Sequence, residues 1–537
     1  MYITAVPNRN SPPAILLRES FRDGDKVRTR TLANLTSWAP ERIEALRRAL
    51  KGECDGLTGD LQPVCGPLFA VLFVLKQLAE RVGLLRVLGT ERGAKLVLFL
   101  ILARVAAHGS RLSAVRWATH HAVAETLGLR RFDEDDLSDA LDSLARHQER
   151  IEDALSRVTV RRRGGIPAVV LYDVTSSYVE GEHNALAALG YNRDKKPGTA
   201  QIVIGLLTSA EGEPLAVHVY EGNTSDPVTV PEQVQTLRTR FGVTEAIFVG
   251  DRGMIKTKGK AALTAAGCRY ITALTTPQVR RLLHEQVLRV EWFTSHVHEV
   301  AHGAVRLILR RSEALRQRAA RRRADKLAKL QSLITTRNAF VQTSKRAKPD
   351  AGLQTLRAWV KRHKLDAFVQ LSLHEGQLTA TLDATAQAEA GRLEGCYVLE
   401  TDVPQTALDA QTVHDRYRDL HEVEQDFRTM KTGRLEVRPI FVRKAPRPRA
   451  QVFVTMLAVH VVREMRRALV AAFGTTADDQ MAVTVEEALV AFARLCLLTY
   501  HVQGTAVVRL PTPDKRQAAI LNALGTPLPT ERSLNKM

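Results

Sequence analysis

At 537 residues the chain is too long for one hydrophobic core, which stops growing near ~250–300 residues, so three or four structural units are expected. Its 77 Lys and Arg against 58 Asp and Glu leave a formal charge of +19, which draws polyanions and makes nucleic acid the natural partner. The scattered Cys54, Cys65, Cys268, Cys396 and Cys496 form no CxxC pair and read as reduced thiols, excluding a zinc clamp or a disulfide framework.

An anionic membrane surface, or a ribosomal or nucleoid role, would suit the same charge, but neither requires buried carboxylates. Apolar runs such as Leu96 to Ala103 fall short of the ~20 residues of a membrane span, and the N-terminus lacks a signal-peptide pattern. The expectation is a soluble cytoplasmic protein, associated with the nucleoid and not with a membrane.

Residues 1–50 open with a β-hairpin: AILLRESF, a turn at Asp23-Gly24, then KVRTRTLAN with its alternating basic residues. Residues 51–163 shift to helical periodicity. LFAVLFVLKQLAERVGLL and AKLVLFLILARVAAHG are apolar on most faces, DLSDALDSLARHQERIEDAL is amphipathic, and Arg161, Arg162, Arg163 and Gly164-Gly165 mark a junction. This helical unit is expected to bind DNA.

Residues 164–285 change again. PAVVLYDVTSSYV, AQIVIGLLTS and PLAVHVYEGN are β-rich runs able to pair as a meander; VPEQVQTLRTRFG is a helix, AIFVGD a buried strand, KGKAALTAAG a helix and CRYITAL a strand. Three antiparallel strands followed by helix, strand, helix, strand is the order of a ribonuclease-H-like α/β mixed-sheet core. Residues 286–394 interrupt it with an expected β-containing insertion: a strand-turn-strand in SHVHEVAHGAVRLILRRS, a basic helix and a hairpin at Glu375-Gly376. Residues 395–470 return to the core through GCYVLETD and a long helix, ALDAQTVHDRYRDLHEVEQDFRTMK. Residues 471–537 add an apolar helix near 485–503 and a proline-bearing tail expected to lie loosely on the surface.

Three carboxylates stand out. Asp173 interrupts the apolar run VVLY and Asp251 ends AIFVG, positions where desolvation costs several kcal/mol unless compensated. They lie 251 − 173 = 78 residues apart, room for two further strands and a helix, and Gly250 and Gly253 are expected to leave space for a phosphate backbone. Val413, Tyr417, Leu420, Glu424, Phe427 and Lys431 follow spacings of three, four or seven and so share one stripe of a helix that faces the core, which places Glu424 on the inward face and Glu422 and Asp426 in solvent. Two strand-borne acids and one helix-borne acid form a hard oxygen site suited to two Mg²⁺ ions, with Mn²⁺ able to substitute, and to in-line phosphoryl displacement. Any one acid alone reads more readily as an N-cap, an ion-pair partner or a turn residue; the conjunction of three, with the strand order and the basic charge, favours the metal site.

The motifs YDVTSSYVEG, GYNRDKKPGTAQIVIGLL, EGNTSDPVTV, FVGDRGM, YRDLHEVEQDFRTMK and LEVRPIFV stand in an order that resembles the Asp-Asp-Glu transposases of bacterial insertion sequences, in the insertion-sequence-four family and its relatives. The resemblance implies Asp173, Asp251 and Glu424 as catalytic, metal-binding acids, and a mainly β insertion in the gap of 424 − 251 = 173 residues. In the family's Tyr, Arg, Glu, Lys signature, Tyr417, Glu424 and Lys431 match, whereas Leu420 occupies the Arg position; Arg416 or Arg428 is the expected substitute. Tyr417 and Lys431 are implied to contact DNA near the cut end, Lys431 as a point charge on phosphate.

The likeness further implies cut-and-paste movement on double-stranded DNA: terminal inverted repeats are cut to free a 3′-OH that attacks target DNA, with a homodimer on the paired ends. A nuclease of the same fold without strand transfer, or an inactive DNA-binding remnant, are the alternatives.

Other signals carry less. His298-Glu299-Val300-Ala301-His302 spells HExxH, but alternation makes it a strand, where positions four apart lie ~13 Å distant. Asn223 to Asp226 read as a polar turn. The basic helix from Arg316 to Lys329, with Arg321, Arg322 and Arg323 consecutive, is expected on the DNA backbone, as are Lys256 and Lys258 (with Lys260) after Asp251.

Overall fold

Every residue of QIVIGLLTS (201–209) is buried, and a strand buried along its whole length must lie in the middle of a sheet covered on both faces. The computed structural model, which describes all residues but 10–11, 53–62, 166–167, 182, 244, 345–347, 432–434, 439, 441–445, 477–479, 503–504, 531–533 and 535–537, has two compact units. The smaller comprises residues 1–74, 118–126 and 469–537, and the larger 75–117 and 127–468.

In the smaller unit β1 (Tyr2–Val6), β2 (Ala14–Asp23) and β3 (Lys26–Asn34) form an antiparallel sheet, turning at Gly24 with φ +63°. The hairpin is where the sequence puts it, with β1 added to its edge. β4 (Val64–Leu68) pairs with β15 (Cys496–Val502), which pairs with β16 (Thr505–Arg509). The apolar pattern near 485–503 is thus a short helix, Val485–Phe492, running into a strand. The tail is not loose: Asp514 and Gln517 form a capping box for the helix Lys515–Leu524, which buries Ile520, Leu521 and Leu524.

The larger unit holds β5 (Val169–Tyr178), β6 (Gln201–Ser209), β7 (Pro214–Glu221), β8 (Ile247–Gly250), β9 (Arg269–Ala273), β10 (His298–His302), β11 (Val305–Arg311) and β14 (Cys396–Thr401) in one sheet of order β10-β11-β14-β9-β8-β5-β6-β7. β5, β6 and β7 are antiparallel, while β8 and β9 run parallel to β5, the arrangement expected of a ribonuclease-H-like core. One sheet face packs Tyr172, Val174, Val203 and Phe248 against Val230, Val234 and Leu237 of helix Asp226–Thr239 and Leu263 of helix Thr257–Ala265. Because strand side chains alternate, Asp173 and Asp251 belong to the opposite face, on which helices Ala410–Arg418 and Leu420–Lys431 lie.

The helical segment between 75 and 163, apart from residues 118–126, belongs to this larger unit instead of forming a domain of its own. Arg240, from the end of helix Asp226–Thr239, reaches Glu152 at 2.8 Å and Asp153 at 2.9 Å on helix Gln148–Arg163.

The insertion is smaller and more helical than the sequence suggests. β10 and β11 extend the core sheet, because Leu307, Ile308 and Leu309 are buried and β11 pairs along β14. What remains is the long helix Glu313–Thr343, the helix Pro349–Arg362, the hairpin β12 (Val369–His374) and β13 (Gln377–Leu382), and the helix Ala384–Gly391. Leu330, Ile334, Leu353, Leu356, Phe368 and Leu378 give it a core of its own. Among the described residues no single helix is long and apolar enough to cross a membrane.

Candidate active site

Asp173 and Asp251 come together through strand register. β5 and β8 pair in parallel with Tyr172 opposite Gly250, so the next residue along each chain is an aspartate: Asp173 within β5 and Asp251 just past the end of β8. The half-buried Asp173 accepts the Val174 N–H at 2.8 Å through Oδ1. Burial pushes its carboxyl up to about 7 against that hydrogen bond; the charges of Asp251 and Glu424 push the same way, and Arg193 opposes them.

Asp251 is exposed, one residue past β8, and Thr272 Oγ1 donates to its carbonyl at 3.2 Å. Gly250 does not make room for DNA: a Cβ there would meet Ile255 at 3.1 Å, so its smallness serves packing, and Gly253, with φ +78°, serves the turn.

Tyr417 donates its phenol to Asp251 Oδ1 at 3.1 Å. Burial, then the Asp251 charge and this hydrogen bond, push the phenol further up from its ordinary value, so it remains a donor. Its place is beside the acid.

Of the expected stripe, Val413, Leu420 and Phe427 are buried and Tyr417 and Lys431 half-buried, but Glu424 is exposed and not on the inward face. The chain forms two helices, Ala410–Arg418 and Leu420–Lys431, separated at Asp419, and the second buries Leu420, Val423, Asp426, Phe427 and Met430. Asp426, expected in solvent, is 2% exposed and takes Arg463 Nη1 at 2.7 Å; Glu422 takes Arg463 Nη2 at 2.7 Å. Glu424 is exposed beside this stripe, next to Leu420 and Phe427 around the helix, and its charge is felt at Asp173 and at Tyr417. Three carboxylates therefore share a field without closing on one another: among the described residues no three His, Cys, Asp or Glu side chains gather tightly enough to hold a metal ion.

Lys431 is not a free phosphate binder. Its ammonium lies 2.6 Å from Asp194 Oδ1 and 3.1 Å from Thr175 Oγ1, on the face that carries Asp173. Asp194, its side chain 2% exposed, also takes Arg438 at 2.5 Å and the Tyr178 N–H at 3.2 Å. Sequence reading missed Asp194 and Arg193, although both stand in the quoted motif GYNRDKKPG; a charge pair in a loop gives no periodicity to read. Arg193 holds both oxygens of Asp226, at 2.6 and 2.7 Å, placing the polar turn from Asn223 at the same site.

At the signature's Arg position Leu420 is buried, 7% exposed. Of the two candidate substitutes, Arg416 is tied to Asp419 at 2.9 Å, while Arg428 is exposed. Lys256 and Lys258 are exposed around the start of helix Thr257–Ala265, whereas Lys260 is paired with Glu400. On the insertion helix Arg321 and Arg322 are exposed, but Arg323 is consumed by Glu394 at 2.5 Å. The HExxH string is strand β10 turning at Gly303 into β11, as its alternation requires.

Residues 164–459 match the transposase DDE domain, and residues 3–60 match the N-terminal domain of the IS1634 family of transposases. No curated protein matches the sequence. Among solved structures the chain is similar to a piggyBac transposase synaptic complex with hairpin DNA, at 8% identity over 79% of this chain and 76% of that one with a TM-score of 0.37. It is also similar to a pre-cleavage Mos1 transpososome, at 12% identity over 44% and 68% with a TM-score of 0.14; likenesses so remote carry no argument. The domain match alone spans more than half of the chain, and with the IS1634 match at its N-terminus the chain belongs to the DDE transposases of insertion sequences.

Proposed function

We propose that Asp173, Asp251 and Glu424 are the acids with which this transposase cuts the ends of its element and joins them to target DNA. The observation that carries the assignment is the register: Asp173 and Asp251 each follow the paired residues Tyr172 and Gly250 of adjacent parallel strands, and Tyr417, from the helix that precedes the Glu424 helix, is bonded to Asp251. The three carboxylates offer the hard oxygen donors that suit a divalent cation such as Mg²⁺, or Mn²⁺ in its place, and Asp251 and Glu424 both act on the Asp173 carboxyl, although the three would have to draw closer to hold one. Two such ions held there would activate the attacking water or 3′-OH and stabilise the departing oxygen.

The chain's own groups prepare the site. Tyr417 fixes the rotamer of Asp251, and the Val174 N–H fixes that of Asp173. Lys431 and Asp194 tie the Glu424 helix to β5 through Thr175. Arg428, Lys256, Lys258, Arg321 and Arg322 are the exposed cations we assign to DNA phosphates. Double-stranded terminal repeats and target DNA are the proposed partners, bound by a homodimer.

The test is cleavage of a supercoiled donor plasmid bearing the element ends, followed by strand transfer of pre-cut ends, in Mg²⁺. Asp173→Asn, Asp251→Ala and Glu424→Gln should each abolish both steps while retaining DNA binding. Nicking that survives in any of the three removes that acid from the site.

A further inference from the structure

Residues 179–200, between β5 and β6, form a loop that is pinned and yet presents two large apolar side chains to solvent. Leu189 is 68% exposed and Tyr191 82% exposed. Floppiness does not explain it. Ala188 exchanges both backbone hydrogen bonds with Gln201, and the buried Gln201 amide donates to Tyr191 O at 3.1 Å and Gly222 O at 2.8 Å. Gly190 lies so close to Gly222 O that a Cβ would come within 2.1 Å of it. Past the tip, Arg193 N donates to Ser176 Oγ at 3.1 Å, and Asp194 is the buried carboxylate held by Lys431 and Arg438.

These anchors fix where the tip stands. Arg193 is near enough to draw the Asp173 carboxyl down, and Lys431, which holds Asp194, lies on the helix of Glu424 and reaches Thr175 on the Asp173 face of β5. The Arg193 guanidinium stands 5.6 Å from the Tyr191 ring centroid, and Lys195 and Lys196 follow, both exposed. An exposed aromatic face flanked by cations suits a π-surface that carries a negative charge, which is the chemistry of a nucleotide.

We propose that Leu189 and Tyr191 form a stacking platform for an unstacked DNA base beside the phosphate to be cut, with Lys195 and Lys196 on the adjoining backbone. The proposal rests on the assignment of Asp173 to the reacting centre. Base–aromatic stacking of this kind corresponds to roughly 5- to 150-fold in affinity or rate when the ring is removed.

The experiment uses the full chain and duplexes of the element end with 2-aminopurine placed in turn at positions around the cleavage site. Binding in Ca²⁺ should raise fluorescence at one such position. Tyr191→Ala should lose that rise and cut roughly 5- to 150-fold more slowly in Mg²⁺, Tyr191→Trp should keep both, and an abasic partner opposite the reporting base should recover part of the Tyr191→Ala loss. Unchanged fluorescence and cleavage in Tyr191→Ala overturn the proposal. So does a changed dimer mass by light scattering with unchanged fluorescence, which would make the tip a protein contact. Asp173→Asn separates the two readings: it should keep the fluorescence rise and lose cleavage, whereas cleavage that persists condemns the active-site assignment and leaves the fluorescence test standing.

Discussion

Two acids two residues apart on the helix Leu420–Lys431 offer a clean separation of stability from chemistry. Positions i and i+2 point ~200° apart around a helix, so Glu424 and Asp426 cannot serve the same surface. Asp426 is 2% exposed; burial, against the Arg463 charge, pushes it up to about 7, and its Oδ2 has no hydrogen-bond partner among the described residues. Arg463→Ala removes the cation from Asp426 and Glu422 together and should cost about 3–5 kcal/mol, the loss typical of a buried ion pair with one partner deleted. Asp426→Asn resembles the protonated acid and should cost only about 1–2 kcal/mol. Glu424→Gln changes an exposed side chain and should move stability by no more than about 0.5 kcal/mol while cutting end cleavage by at least about 10²–10³-fold. Urea unfolding followed by fluorescence, paired with cleavage of end-bearing plasmid, reads both quantities. If Glu424→Gln unfolds several kcal/mol more easily than wild type, or Asp426→Asn loses cleavage while Glu424→Gln keeps it, the assignment of the two acids is reversed.

Three further outcomes follow from other contacts. Tyr417→Phe removes a donor to a carboxylate and should slow cleavage roughly 10- to 150-fold with unfolding little changed; equal loss of stability would make the tyrosine structural. For Glu213, burial acts to raise the carboxyl, but the hydrogen bond and charge of His460 and Arg467 outweigh it and leave it well below the ordinary range. A depressed carboxyl stabilises the fold above its unfolded value near 4.5 and loses that contribution as pH falls toward the folded one. The stability gap between wild type and Glu213→Gln should therefore shrink below about pH 4.5, and a gap independent of pH in acid unfolding would contradict the ion pair. Arg321→Glu with Arg322→Glu should weaken DNA binding and flatten its log–log salt slope by about 2, while Arg323→Ala should loosen the insertion through Glu394; a slope left unchanged removes the first two from the DNA surface.

The parts of the fold that were legible in the sequence are those whose signal is local. The alternating or unbroken apolar runs at 169–178, 201–209 and 247–250 gave the strands and their order, and the DDE-domain match agrees with that core. Long-range pairing was not legible. Nothing local distinguishes VRLILRR as a core strand from an insertion strand, because membership depends on β14, about 90 residues downstream. The tail's prolines hid a capped helix, since composition reports on backbone preference and not on the surface Ile520 and Leu524 bury. Asp194 was invisible for a like reason: its value lies in Lys431 and Arg438, which approach it only after folding.

The helix-borne acid is a different case, because the premise behind it was wrong. Val413, Leu420 and Phe427 are buried at sevens as counted, and Asp419 keeps a helical conformation, but the buried stripe widens toward Val423, Asp426 and Met430 and leaves Glu424 outside its other edge. Burial therefore points to Asp426, and an argument from burial alone would choose it as the third acid. Its partner decides otherwise: Arg463 already supplies Asp426 with a cation through Oδ1 and shares it with Glu422, so this carboxylate belongs to an ion pair on the buried side of the helix. Glu424 is the acid of this helix whose charge reaches Asp173, and its exposure is what a group that must meet an incoming DNA phosphate requires. The useful question for such a site is thus which carboxylate is left without counter-charge beside the strand pair, and not which is deepest.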